Sequence, residues 1–132
     1  MTIVGFSFTK IFAEKSNAVK GKINVSNNVT IKNVSESKIV FDPAKKALKF
    51  EFLYTSKYEP EVGIIELGGE LVYLAEEADA KTILNSWKKD KKVSGDMMKG
   101  VMNNILAKCN VESIILSRDI NLPAPIPLPK LN

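Results

Sequence analysis

The sequence predicts an α+β fold: a four-stranded antiparallel sheet, read as a meander, followed by a short helix, a long helix and an extended proline-rich C-terminal segment. Three observations predict it. Four stretches between residues 3 and 75 carry apolar side chains at every second position, the period of a half-buried strand. From residue 76 the apolar spacing changes to three and four, the period of a helix. The last stretch, INLPAPIPLP, places Pro123, Pro125, Pro127 and Pro129 at alternate positions, which neither a helix interior nor a central strand tolerates. Consecutive strands with short connections favour antiparallel neighbours, and helices that follow them cover one face. At 132 residues the chain is expected to be one domain over 1–132. The sheet then occupies 1–76, the helices 77–117 and the extended arm 118–132.

In residues 3–12, IVGFSFTKIF, Val4, Phe6, Phe8 and Phe12 share one parity, which reads as a first strand buried on one face. In KINVSNNVTIK, residues 22–32, Ile23, Val25, Val29 and Ile31 face one way. Lys22, Asn24, Ser26, Asn28, Thr30 and Lys32 face the other, giving a second strand with a wet side. FDPAKKA, residues 41–47, reads as a turn opened by Asp-Pro. In the third strand, LKFEFLYTSKY, Leu48, Phe50, Phe52, Tyr54 and Tyr58 share a face, and Pro60 marks the next bend. The fourth, VGIIELGGELVYLA over 62–75, puts Ile65, Leu67, Leu71 and Tyr73 on one side and Glu66 and Glu70 on the other. Gly68 and Gly69 in its middle imply a bulge, a sharp coil or the close approach of another backbone.

EEADAKTILNSWKKDKK leads with acids and ends with lysines, as a helix dipole prefers, and carries Ile83, Leu84 and Trp87 as a short apolar stripe. In SGDMMKGVMNNILAKC, Ser94 is the expected N-cap, and Met97, Met98, Val101, Met102, Ile105, Leu106 and Cys109 fall at helical spacing. Nothing in VESIILS forces a stop, so Val111, Ile114, Ile115 and Leu116 add apolar surface on more than one side. A helix apolar nearly all round needs cover. Met97, Met102, Val111 and Ile115 are therefore the candidate oligomer interface.

Hydrophobic residues make up 45% and charged residues 26%, as in ordinary globular proteins. No apolar run approaches the length that spans a bilayer. MTIVGFSFTKIF has neither a charged n-region nor a small-residue cleavage site, so no signal peptide is expected. With Cys109 as the single cysteine, the expected compartment is the cytoplasm. The net charge of +4 comes from 18 lysines and one arginine, Arg118. Base readout and bidentate phosphate clamps favour arginine, so the lysines read as a solubilising surface and nucleic acid is not the expected partner. The absence of histidine removes the commonest general base and metal ligand.

Glu66 and Glu70 have the composition of an acid–base pair, but no second cluster accompanies them, and they read as the solvated side of a sheet. Gly68-Gly69 lacks the lysine spacing and following helix of a phosphate loop. Cys109 on an apolar helix stripe reads as an inert buried thiol. Without a secretory signal, the sequons at Asn24, Asn28 and Asn33 read as polar strand positions. The methionine cluster fits an adaptable binding face or a packed contact, packing being the commoner use. WKKDKK, residues 87–92, sets a basic run beside an aromatic, as a nucleic-acid contact would, and equally forms the lysine-rich end that a helix favours. No catalytic residue, metal site or cofactor is expected, and the chain is not read as an enzyme.

The proline segment has no PxxP spacing, since all four prolines fall at odd positions. Each residue before a proline is held in extended geometry, so the arm is stiff before it binds anything. Prolines on one parity leave one edge able to pair and strip donors from the other, which suits an outermost strand closed to further strands. Ile120, Leu122, Ile126 and Leu128 then lie together against apolar surface of the same subunit or of a neighbour.

LKFEFLYTSKYEPEVGIIELGGELVYLAEE resembles the paired strands of the SecB family of protein-export chaperones, with aromatic alternation, a bend and a Gly-Gly strand. KCNVESIILSRDINLPAPIPLP resembles that family's long helix, its polar-arginine end and the extended N-L-x-P stretch beyond. FTKIFAEKSN resembles its opening strand. The resemblance implies a homo-oligomer, a dimer or dimer of dimers, that binds unfolded or extended polypeptides in apolar grooves without ATP. The candidate groove residues are then Phe12, Tyr54, Tyr58, Ile120, Leu122, Ile126 and Leu128. Bacterial members are acidic and contact the export motor through that surface; this chain is basic, so the motor is not carried over as a partner. The family's final helix has no counterpart here, and the proline arm is the candidate to replace a groove lid. The alternatives are a non-catalytic assembly subunit docking on one protein partner and, below it, a lysine-rich nucleic-acid binder.

Overall fold

The computed structural model describes residues 2–18, 21–38, 44–93 and 95–126. Four strands, β1 (Thr2–Lys15), β2 (Asn24–Glu36), β3 (Lys45–Glu59) and β4 (Gly63–Glu76), precede two helices, α1 (Glu77–Asp90) and α2 (Asp96–Asp119). The sheet has the order β1-β4-β3-β2, with every neighbouring pair antiparallel. The α+β class and the antiparallel sheet are as the sequence predicts. The meander itself covers β2, β3 and β4; β1 lies beyond β4 rather than beside β2. Both β1 and β2 are therefore edge strands. Phe41, Asp42 and Pro43 of the expected turn lie outside the described residues, while Lys45, Lys46 and Ala47 already pair with β4. The long helix runs two residues past the expected end.

β3 and β4 follow their sequence parity. Leu48, Phe50, Phe52, Tyr54 and Tyr58 are buried on one face with Ile65, Leu67, Leu71 and Tyr73. Both helices lie on that side, α1 against β2, β3 and β4, and α2 against β4 and β1. α1 contributes Ala80, Ile83 and Trp87. α2 buries Val101, Ile105, Cys109, Ser113 and Ser117, one residue every four, so the stripe continues through serines rather than through Ile114 and Ile115. Each serine returns its hydroxyl proton to the helix, Ser113 to the Asn110 carbonyl at 2.9 Å and Ser117 to the Ile114 carbonyl at 2.8 Å. The outer side of α2 is left uncovered within the chain: Val111 is 61% and Ile115 38% exposed, two of the apolar side chains for which the sequence expects cover from a partner. Gly95 holds the N-cap position of α2; Ser94 lies outside the described residues.

β1 departs from its expected parity. Between Ile3 and Gly5, and again between Phe8 and Lys10, β1 advances two residues while β4 advances one. Val4 and Thr9 are thus bulged, and each bulge exchanges the faces of the strand residues beyond it. Phe6 and Phe8 pair with Leu71 and Gly69 and pack on the core; beyond Thr9, Ile11 and Ala13 take that side, opposite Leu67 and Ile65, with Ala13 packed and Ile11 left 52% exposed, while Phe12 pairs with Glu66 on the open face. A third bulge at Lys32 of β2 turns Val34 inward opposite Phe50. Of the glycine pair, Gly69 is explained by close approach: a Cβ there would strike the Ser7 carbonyl oxygen and come within 2.9 Å of the Phe52 ring. Phe52 stacks on Phe6 at 5.4 Å and meets Phe8 edge-on at 6.4 Å. The open face carries Leu53, Ile64, Val72 and Leu74, all half-buried, with lysine–glutamate pairs Lys10–Glu66 at 2.6 Å and Lys49–Glu70 at 3.9 Å.

Candidate functional site

After Asp119 the helix unwinds through a short turn. Ile120 N–H donates to the Leu116 carbonyl at 3.2 Å and Leu122 N–H to the Ser117 carbonyl at 2.8 Å, with Asn121 left-handed at φ 58° between them. That turn sends residues 122–126 across the strands, on the helix-bearing face and beyond the end of the helical layer. Leu122 is buried at 6% exposure, and its Cδ1 lies 3.2 Å from where a Gly63 side chain would begin. Lys15 Nζ donates to the Asn121 carbonyl at 3.2 Å. The Tyr58 hydroxyl donates to the Pro123 carbonyl at 2.7 Å, and Asn27 Nδ2 to the Pro125 carbonyl at 2.8 Å. Pro125 is buried, Ala124 and Ile126 half-buried. Residues 120–126 make no strand pairing. The expectation of an outermost strand is therefore corrected to an arm crossing β4, β3 and β2. Alternate carbonyls of an extended chain point the same way, so Pro123 and Pro125 present theirs to the sheet and lose no N–H bond by doing so.

A directed network holds the Asn27 amide. Ser56 Oγ donates to Asn27 Oδ1 at 2.7 Å and lies 3.0 Å from the Tyr54 hydroxyl. Its one proton is given to the amide oxygen, so it accepts from Tyr54. The chain of donation runs Tyr54 to Ser56 to Asn27 to the Pro125 carbonyl. Burial, with Tyr54 adding to it, pushes the Tyr58 phenol up to about 12, so it stays protonated and remains a donor.

Tyr54, Tyr58 and Leu122 of the expected groove share one buried cluster, with Ile120 packed against it at the turn, while Ile126 is half-buried. Phe12 is not among them. It stands on the opposite face at 41% exposure, turned there by the Thr9 bulge. Leu128 lies outside the described residues, as do Pro127 and Pro129. Apolar alternation does not point to Asn27 and Ser56. Their signal is a polar residue at an apolar parity: Asn27 interrupts Val25 and Val29, Ser56 interrupts Tyr54 and Tyr58, and the two are register partners.

Beside the arm, the face opens into a groove of about 480 Å³ between edge strand β2 and the junction of the helices. Val29 and Ile31 of β2, Trp87 of α1, Val93, and Met98 and Met102 of α2 line it. Trp87 is fixed there by its indole N–H, which donates to Asn33 Oδ1 at 3.3 Å, and Lys91 lies over its ring at 5.5 Å. Met102 thus turns toward α1. Met97 lines a second cavity, of about 330 Å³, with Tyr73, Ile83 and Asp79. Neither shares an exposed face with Val111 and Ile115.

Glu66 and Glu70, four residues apart on a strand, stand about 13 Å from each other, too far to share a proton, and each has its own lysine. Burial pushes the Cys109 thiol up to about 12, which leaves it without a reactive thiolate. Among the described residues no group of acidic or cysteine side chains could hold a metal ion, and no helix is long and apolar enough to cross a membrane.

No family model matches the sequence. No curated protein matches it either. Among solved structures the chain is similar to the Mycobacterium tuberculosis Rv1957 SecB-like chaperone, determined in complex with a ChAD peptide from the Rv1956 HigA1 antitoxin. The match covers 99% of this chain and 90% of that one, with a TM-score of 0.57 and 12% identity. At that identity the likeness is one of fold.

Proposed function

We propose that this protein is a peptide-binding chaperone of the holdase type, which retains extended apolar segments of unfolded polypeptides without nucleotide. One observation carries the reading. A proline-bearing segment is held across the sheet by side-chain donors to its main-chain carbonyls and by apolar contacts, a mode that recognises an extended backbone more than a sequence. A client would lie in the neighbouring groove along β2, with the arm as its border. Clients are free polypeptide, so no catalytic group or cofactor is required, and the cytoplasm is the proposed compartment. The chain is proposed to act as a single domain and as a dimer or dimer of dimers, built on apolar side chains of α2.

A dedicated form of the same activity has support of its own, because the structurally similar chaperone was determined with a peptide from one antitoxin. The test separates the two. Purified protein is added, without nucleotide, to several unrelated proteins diluted from denaturant, and light scattering is followed. Suppression across the set supports a general holdase. Suppression of none, together with co-purification of one partner, supports the dedicated form or an assembly subunit. A lysine-driven nucleic-acid binder would instead show affinity for oligonucleotides that falls steeply with salt.

A further inference from the structure

The groove beside the arm has an apolar floor and a cationic rim. Lys91 and Lys92 line it at the end of α1. Val93, Met98 and Met102 are shared with an adjoining groove of about 360 Å³, whose wall adds Lys99. All three lysines are exposed, and none is in an ion pair among the described residues. No described carboxylate lines either groove. On the sheet, three lysines have acidic partners, Lys10 with Glu66, Lys46 with Glu36 and Lys49 with Glu70. Here three cations stand unmatched around methionine, valine and tryptophan.

We propose that this groove takes an extended segment in which apolar residues are flanked by aspartate or glutamate. The inference rests on the holdase reading and adds to it the charge class of the client. Methionine side chains adapt to differently shaped apolar residues at little cost, so the floor sets a requirement for apolarity rather than for one sequence. The rim sets the sign: acidic flanks gain three attractive partners, whereas basic flanks meet like charge in a site whose low-dielectric floor weakens screening. A nucleic acid fits less well. The lysines give point charges rather than arginine forks, and the one indole is already faced by Lys91 and held by Asn33.

Trp87 is the chain's single tryptophan, so its emission reports on this groove alone. The full-length protein is titrated with two peptides that share one apolar core, flanked by glutamates in one and lysines in the other. The expected result is that the acidic peptide shifts Trp87 emission and binds about tenfold more tightly at low salt, an advantage of the size three exposed ion pairs give. The advantage shrinks as salt is raised. In the triple variant Lys91→Glu, Lys92→Glu, Lys99→Glu the preference reverses; exposed lysines are replaced, and unchanged circular dichroism checks the fold. Equal binding of the two peptides, binding that leaves Trp87 emission unchanged, or an equal response to a single-stranded oligonucleotide overturns the proposal. Should any of these occur while aggregation is still suppressed, the holdase reading stands and the charge class alone is wrong. Should neither peptide bind and aggregation proceed unchecked, the holdase reading fails and takes this proposal with it.

Discussion

At the scale of single residues, Lys15, Tyr58 and Asn27 donate to carbonyls of the arm, and Ser56 holds the Asn27 amide. Replacing Tyr58 by Phe keeps the ring packing and removes the donor, leaving the Pro123 carbonyl without its partner. That should cost about 0.5–1.5 kcal/mol, read as a lower urea midpoint with an unchanged slope. Titration gives the burial of the same phenol a signature of its own. The phenol is raised from 10.0 to about 12 in the folded protein. Its contribution is therefore complete below pH 10 and is lost as pH rises from 10 toward 12. Unfolding midpoints of the parent and the Tyr58→Phe variant should converge across that window; parallel profiles would show that the phenol is not buried in the folded protein. Ser56→Ala should cost more than one exposed hydrogen bond, because it strands both the Tyr54 hydroxyl and the Asn27 amide oxygen. None of this is contained in the apolar pattern. Tyr54 and Tyr58 were legible as core-facing aromatics, but the bonds their hydroxyls feed end on Asn27 of another strand and on the tail. Only the breaks at Asn27 and Ser56 pointed there.

At the scale of elements, β3 and β4 were readable because both are central, so each side chain has one face to choose and the period is kept. β1 was not, since an edge strand is free to bulge. A bulge at Thr9 moved Phe12 away from the tyrosines without leaving any mark on its own residue types. The glycines opposite were the mark. Gly69 leaves room for the Ser7 carbonyl and the Phe52 ring, so Gly69→Ala should overpack the phenylalanine cluster. We expect a loss of about 1–3 kcal/mol, measured by thermal or urea unfolding. A neutral outcome would mean that β1 can shift by a residue at no cost. The arm is likewise an element with a measurable contribution. Removing residues 120–132 forfeits the buried Leu122, worth roughly 1.5–3 kcal/mol, and leaves Tyr58 and Asn27 without acceptors. The truncated protein should melt lower, and unchanged melting would reduce the arm to a passenger.

For the whole molecule, the open question is what meets the apolar surface at the β1 edge. Exposed large hydrophobic side chains among the described residues are Ile11 and Phe12 on β1 and Val111 and Ile115 on α2. These two elements run side by side. Lys108 stands over the Phe6 ring at 5.9 Å at one end, and Lys15 reaches the Asn121 carbonyl at the other. Ile11, Val111 and Ile115 fall between those two markers along the two elements. The other edge of the sheet is formed by β2, beside the lysine-rimmed groove, so the proposed self-association and the proposed client binding would use different places. α2 offers few charges to mask its exposed side, with Glu112 between the two aliphatic positions. Exposed apolar patches commonly mark interaction sites, and we propose that copies of the chain meet here. The sequence groups Met97, Met102, Val111 and Ile115 as one candidate interface; the structure leaves Val111 and Ile115 exposed and turns Met97 and Met102 toward α1, because helical spacing gives the angle around an axis and not the neighbour. The double variant Val111→Lys, Ile115→Lys changes only exposed positions and should keep the fold. Sedimentation at micromolar concentration should give a dimer or larger for the parent and a monomer for the variant, with circular dichroism and peptide binding to the groove unchanged. A monomeric parent, or a variant of unaltered size, would mean that this edge is not where copies of the chain meet.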